Sequence, residues 1–142
     1  PFTVYAASAE ELQGLGMSLR KAEYIKDFAD KIVSGEFNLQ SVEHMSDAEA
    51  IAVLSSLKGI GKWTAEMILL FCLQRPDILS FDDLAIQRGL RMLYHHRKIT
   101  RELFNKYRKR YSPYGSTAAI YLWAIAGGAI EGMKDYAPAK KR

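Results

Sequence analysis

Apolar and polar residues along this chain recur with a spacing of three to four, and almost every boundary signal is helical. Ser8-x-x-Glu11 has the form of a capping box, opening a short helix that ends at Leu15-Gly16. Ala22, Ile25, Ala29, Ile32 and Val33 draw one apolar stripe along the next helix, which stops at Gly35. A short turn follows Asn38, and Ser46-x-x-Glu49 caps a further helix that ends at Leu57. The helix starting near Lys62 and running to Leu73 carries Ala65, Met67, Ile68, Leu69, Leu70 and Phe71, so it is apolar nearly all round and belongs at the centre of a domain. After a loop over Gln74 to Phe81, one helix starts at Asp82-Asp83 and runs to about Tyr94. Another is opened by Thr100 and ends in Lys106-Tyr-Arg-Lys-Arg-Tyr111. Ser112-Pro-Tyr-Gly115 turns the chain into a last helix, and Ala137 to Arg142 reads as a frayed basic tail. No stretch alternates as a strand does and no internal repeat is visible, so the expected fold is all-α, a single helical domain over residues 1–142.

The connection Lys58-Gly59-Ile60-Gly61 between two of these helices has chemical content of its own. Two glycines can take backbone angles that side chains forbid, which makes a tight helix-hairpin-helix over about residues 46–73. Such a turn presents N–H groups at the start of the second helix, where the dipole also favours an anion, so a phosphate fits there. A grip of this kind holds a nucleic-acid backbone without reading its sequence.

Charge sharpens the picture. Residues 1–55 hold 4 Lys/Arg against 9 Asp/Glu (net −5), residues 56–115 hold 12 against 5 (net +7), and residues 116–142 hold 4 against 2 (net +2). The basic block surrounds the hairpin, which suits a polyanionic partner and a salt-sensitive affinity. The longest apolar run, Ala118 to Ile130, is 13 residues with Gly127 and Gly128 inside it, too short for a bilayer that needs about 20 helical residues. It reads as a buried helix. Cys72, the one cysteine, excludes an internal disulfide and a cysteine-rich metal site, and is expected to be a buried thiol in a reducing compartment, cytoplasmic or, in a eukaryote, nuclear. His44, His95 and His96 have no ligand spacing with a cysteine or second carboxylate.

The string Leu57-x-Gly-Ile-Gly-x-Trp-Thr-Ala65, with Asp83 twenty positions after Trp63, resembles the helix-hairpin-helix Gly/Pro-Asp superfamily of base-excision DNA glycosylases. Within it the chain is most similar to the alkylated-base branch of the 3-methyladenine DNA glycosylase II type. The resemblance is strong from Ser46 to Gly89 and continues more loosely through Gly14-Leu-Gly-Met-Ser-Leu-Arg-Lys-Ala22 and Tyr121-Leu-Trp123.

That resemblance implies a catalytic carboxylate at Asp83, held against the sugar of a nucleotide extruded from a damaged duplex. An aspartate at a helix mouth is ordinarily an N-cap, and the match makes Asp82 the structural member of the pair. It further implies that Gly59, Gly61 and Thr64, with Lys58 and Lys62, hold the DNA backbone, and that the carbonyls of Ser55, Leu57 and Ile60 bind a structural Na+ or K+ ion. No cofactor is required. Trp63, Met67, Leu84 and Trp123 would line the base pocket, where an aromatic face attracts a cationic alkylated purine. Trp123 reads equally as a core tryptophan on an apolar helix. Bifunctional relatives carry a lysine at the place of Trp63, so base removal without strand cleavage is expected. Glu66 lies on the same helix and is expected at the surface.

Met67 and Leu84 stand where some relatives carry tyrosines, and Phe81 falls near a position that is commonly proline. The family also carries a helical segment ahead of the point where this chain starts, so the chain reads as a fragment, trimmed or completed by that segment as a separate chain. The competing expectations are a non-catalytic helix-hairpin-helix module that tethers a larger protein to DNA, and the same fold acting on another lesion. A membrane partner is not expected.

Overall fold

The computed structural model describes residues 1–138, and over them the chain forms nine α-helices and no strand. They are α1 (Phe2–Ala6), α2 (Ala9–Gln13), α3 (Leu19–Val33), α4 (Leu39–Glu43), α5 (Asp47–Ser55), α6 (Lys62–Phe71), α7 (Leu84–Tyr94), α8 (Arg101–Tyr111) and α9 (Gly115–Ala126). None is long and apolar enough to cross a membrane. The helices fall into two compact units, divided inside α6 after Ala65.

In the first unit α1 and α2 both pack on α3. The capping signals act as the sequence predicts. Ser8 and Glu11 form a reciprocal capping box at α2, and Ser46 and Glu49 form another at α5, each satisfying two amides that a helix start leaves without partners. The stripe on α3 is narrower than its spacing suggests. Ala22 and Ala29 are buried whereas Ile25 is exposed, so small residues make the contact and permit a close approach. Asn38 does more than start a turn: its side chain accepts from the amides of Gln40 and Ser41 and caps the short helix α4.

In the second unit α7 lies against α9. Gly89 makes this possible, because a Cβ there would overlap the carbonyl oxygen of Leu122 and sit 3.0 Å from its carbon. Ile86, Leu90 and Met92 from α7 and Ala119, Leu122 and Ile125 from α9 are buried with Leu69, Phe104 and Tyr107. Asp77, in the loop after α6, ties the start of α9. One carboxylate oxygen accepts from the Gly115 amide at 3.0 Å and the other from the Ser112 hydroxyl at 2.7 Å, while the Asp77 carbonyl accepts from Arg108 at 3.1 Å.

Several expectations need correction. Cys72 is exposed rather than buried, and it follows Phe71, the last residue of α6, which is exposed as well. Glu66 is buried rather than at the surface, with its carboxylate accepting from the hydroxyl of the fully buried Ser80. The last helix ends at Ala126 and does not run on to Ile130, since Gly127 caps it and Gly128 takes a left-handed φ of 92°. Of the expected tail, Ala139 to Arg142 lie outside the described residues.

Candidate functional site

In the hairpin, α5 ends at Ser55 and the Ile60 amide closes the turn on the Leu57 carbonyl at 3.2 Å. Gly59 has φ +80°, and a Cβ on it would run into the ring of Tyr24. Gly59 is therefore glycine for two independent steric reasons. Gly61 differs from the expectation that both glycines need forbidden angles, for its φ is not in the left-handed region. Its carbonyl accepts the Ala65 amide at 2.9 Å, the first bond of α6, and a Cβ there would meet no atom within 4 Å. The missing side chain leaves open space beside the amides of the first turn of α6, which no intrahelical carbonyl satisfies.

Among the side chains expected at the hairpin, Lys62 and Trp63 are exposed, Trp63 by 47%, and Thr64 is half-buried. Lys58 bonds Asp27 at 2.7 Å, and this bond holds the Asp27 carboxyl below its ordinary value. Of the carbonyls suggested for a cation, that of Leu57 takes the Ile60 amide, and the hydroxyl of Ser55 is buried with no hydrogen-bond partner among the described residues. No group of three or more His, Cys, Asp or Glu side chains is arranged for a metal among the described residues.

The acid of the second unit is built by the start of α7. Asp83 is its N-cap: Oδ1 accepts from the amides of Ala85 at 2.8 Å and Ile86 at 2.9 Å. Oδ2 accepts from the indole Nε1 of Trp123 at 3.2 Å. Asp83 is 6% exposed. Here the assignment of Asp82 as the structural aspartate is corrected. Asp82 is half-exposed, with one carboxylate oxygen 4.0 Å from Arg101, and the capping falls to Asp83 because its backbone is the extended residue immediately before the helix.

The loop that delivers Asp83 is held from several sides. Ser80 bonds Glu66, the Gln87 side chain donates to the Phe81 carbonyl at 2.7 Å, and the Phe81 ring lies under Arg101 at 3.7 Å and edge-on to Phe104 at 5.3 Å. Phe81 thus has a packing role where a proline would have only backbone restraint.

Trp123 and Asp83 are brought together, and a third residue joins them. Phe71 stacks on Trp123 with ring centroids 5.7 Å apart and planes within 14°, yet is 60% exposed. Leu84 directly follows Asp83 and is 80% exposed, while Met67 is half-buried. The sequence reading treated Phe71 only as one of the apolar residues of its helix. The signal was the spacing Trp63, Met67, Phe71, four apart, which draws one stripe along α6.

Much of the basic block is committed within the protein. Arg91 and Asp135 form two hydrogen bonds, Arg108 lies 3.8 Å from Asp77, and Arg101 covers Phe81. Net charge by segment therefore overstates the cationic surface that a polyanion meets.

Comparison with known proteins places this geometry. The chain is 37% identical over 116 residues to DNA-3-methyladenine glycosylase 1 of Schizosaccharomyces pombe, an alignment covering 80% of this chain and 51% of that protein. Its fold matches the crystal structure of a DNA-3-methyladenine glycosidase from Bacillus halodurans with a TM-score of 0.79 and 36% identity, covering 94% of this chain and 62% of that one. It matches the S. pombe 3-methyladenine DNA glycosylase Mag1 in complex with abasic DNA with a TM-score of 0.77 and 31% identity, covering 93% and 64%. The chain thus spans between about half and two thirds of the length of these relatives. Residues 1–113 match the HhH-GPD superfamily base excision DNA repair proteins, and the chain belongs to that superfamily.

Proposed function

We propose that the protein is a monofunctional DNA glycosylase that hydrolyses the N-glycosidic bond of alkylated purines, of the 3-methyladenine and 7-methylguanine type, in duplex DNA. The observation that carries this reading is the Asp83 carboxylate, oriented by two helix amides and an indole N–H beside an aromatic pair whose outer ring, Phe71, is exposed.

The chemistry follows from the groups. The open space at Gly61 and the first-turn amides of α6 accept a backbone phosphate, with Lys62 and Thr64 beside them. Once a damaged nucleotide leaves the stack, the bond from C1′ to the purine nitrogen breaks and its electron pair goes to the base. An alkylated purine leaves readily because it carries positive charge before the bond breaks. Asp83 stabilises the oxocarbenium character that develops on the sugar and orients the water whose oxygen bonds C1′. The water's proton passes to Asp83 or to solvent, and an abasic site remains.

The carbonyls of Ser55, Leu57 and Ile60 are hard oxygen donors at the negative end of α5, a donor set that suits Na+ or K+. When bound, such an ion would add positive charge beside a phosphate.

Asp83→Asn tests the reading, because asparagine keeps the cap while removing the carboxylate charge. Base release from methylated duplex is expected to disappear and duplex binding to remain. A second reading, a non-catalytic DNA-binding module, is favoured by one fact: Asp83 is nearly buried and serves as a cap. Unchanged release by Asp83→Asn would decide for it. The same assay over a panel of lesions separates alkylated purines from mispaired or deaminated bases.

A further inference from the structure

We infer that Trp123 is a positioning residue that acts through Asp83, and that Phe71 holds Trp123 in that role. The inference rests on the reading of Asp83 as the working acid and assigns Trp123 a task different from lining a base pocket.

The two oxygens of Asp83 are treated differently by the fold. Oδ1 is fixed by the amides of Ala85 and Ile86, which belong to the backbone of α7 and come with any capped helix. Because the carboxylate is planar, these bonds also limit where Oδ2 can stand, and a donor that reaches Oδ2 from another element adds to that restraint. Such a donor comes from a different helix: the Trp123 indole on α9 donates to Oδ2 at 3.2 Å. That distance lies at the upper end of the ordinary N–H···O range.

An indole on a single helix has rotamer freedom of its own, and the stack on Phe71 restrains it. The rings are nearly parallel, at 14°, with centroids 5.7 Å apart. Phe71 is 60% exposed, so it holds the indole from the solvent side. The result is a chain of three residues from three helical segments, Phe71 to Trp123 to Asp83, that reinforces from outside α7 the orientation its cap amides give the carboxylate.

The test uses the full-length protein and a duplex carrying one 7-methylguanine, read in single turnover, with duplex binding measured separately. Trp123→Phe keeps an aromatic ring for the stack and removes the N–H. It is expected to slow base release on the order of 10- to 100-fold, the scale of misplacing a reacting group, with binding unchanged. Phe71→Leu, which keeps the N–H and removes the stack, is expected to show a smaller loss of the same kind. A full rate in Trp123→Phe would overturn the inference. A second readout needs no activity. The chain has two tryptophans, so its NMR spectrum has two indole N–H signals, and Asp83→Asn is expected to shift that of Trp123 and speed its exchange with solvent. An unmoved Trp123 signal would also overturn the inference. Full base release by Asp83→Asn, with the indole signal shifted, would instead overturn the catalytic reading of Asp83.

Discussion

Arg91 grips Asp135 across 44 residues of chain, with Nε donating to Oδ1 at 2.7 Å and Nη2 to Oδ2 at 2.6 Å. This bidentate pair ties the extended segment after α9 to α7, and Asp135 also accepts from the Ala137 amide at 3.0 Å. Arg91→Ala is expected to destabilise the fold by about 1–2 kcal/mol, measured by denaturant titration. The Arg91 hydrogen bond holds the Asp135 carboxyl below its ordinary value. A carboxyl lowered in the folded state adds stability above its unfolded value and loses it as the pH falls toward the folded one. Acidification below about pH 4, the unfolded aspartate range, should therefore narrow the stability gap between the parent and Arg91→Ala.

Asp83 offers a separation of cap from chemistry. Asp83→Ala removes the acceptor of the Ala85 and Ile86 amides and is expected to cost about 0.5–2 kcal/mol in stability, whereas Asp83→Asn should stay near the parent. Thermal melts of the two variants read this directly.

The two hairpin glycines should divide in the same manner. Gly59→Ala places a Cβ at φ +80° and into the Tyr24 ring, so a loss of about 1–3 kcal/mol is expected. Gly61→Ala meets no neighbour and should change stability by less than about 0.5 kcal/mol. Duplex affinity should nonetheless fall in Gly61→Ala, and a titration across salt concentrations would register the lost phosphate contact as a shallower salt dependence.

The proposed monofunctional reading puts Trp63 at the place where the resemblance implies a Schiff-base lysine in bifunctional relatives, and an indole forms no Schiff base. Borohydride added during turnover is expected to trap no covalent protein–DNA product. A trapped adduct would assign the protein a lyase step.

Helix content was legible because capping is local. Ser8, Ser46 and Thr100 each announce a helix within four residues, and the structure uses all three. What escaped was set by partners far along the chain. Nothing near Glu66 says that the Ser80 hydroxyl will donate to it in the interior, and nothing near Cys72 marks it as exposed in an otherwise apolar run. The Asp82–Asp83 pair shows a different limit. Both residues suit a helix mouth by composition, and only the extended backbone of Asp83 settles which one caps. Trp123 was seen as an aromatic of the site, but its bond to Asp83 spans 40 residues and has no local mark.

Gly89 has reach beyond its own contact. By letting α7 and α9 touch at Leu122, it governs how far the neighbouring indole stands from the carboxylate at the head of α7. A methyl group there would act as a spacer between the two rods, and the acid would lose its guide without any change in the residues that flank it. Tolerance to substitution at this remote interior point is thereby bound to the spacing of Asp83 and Trp123, so under the proposed function a single hydrogen atom offers an engineer a handle on the rate.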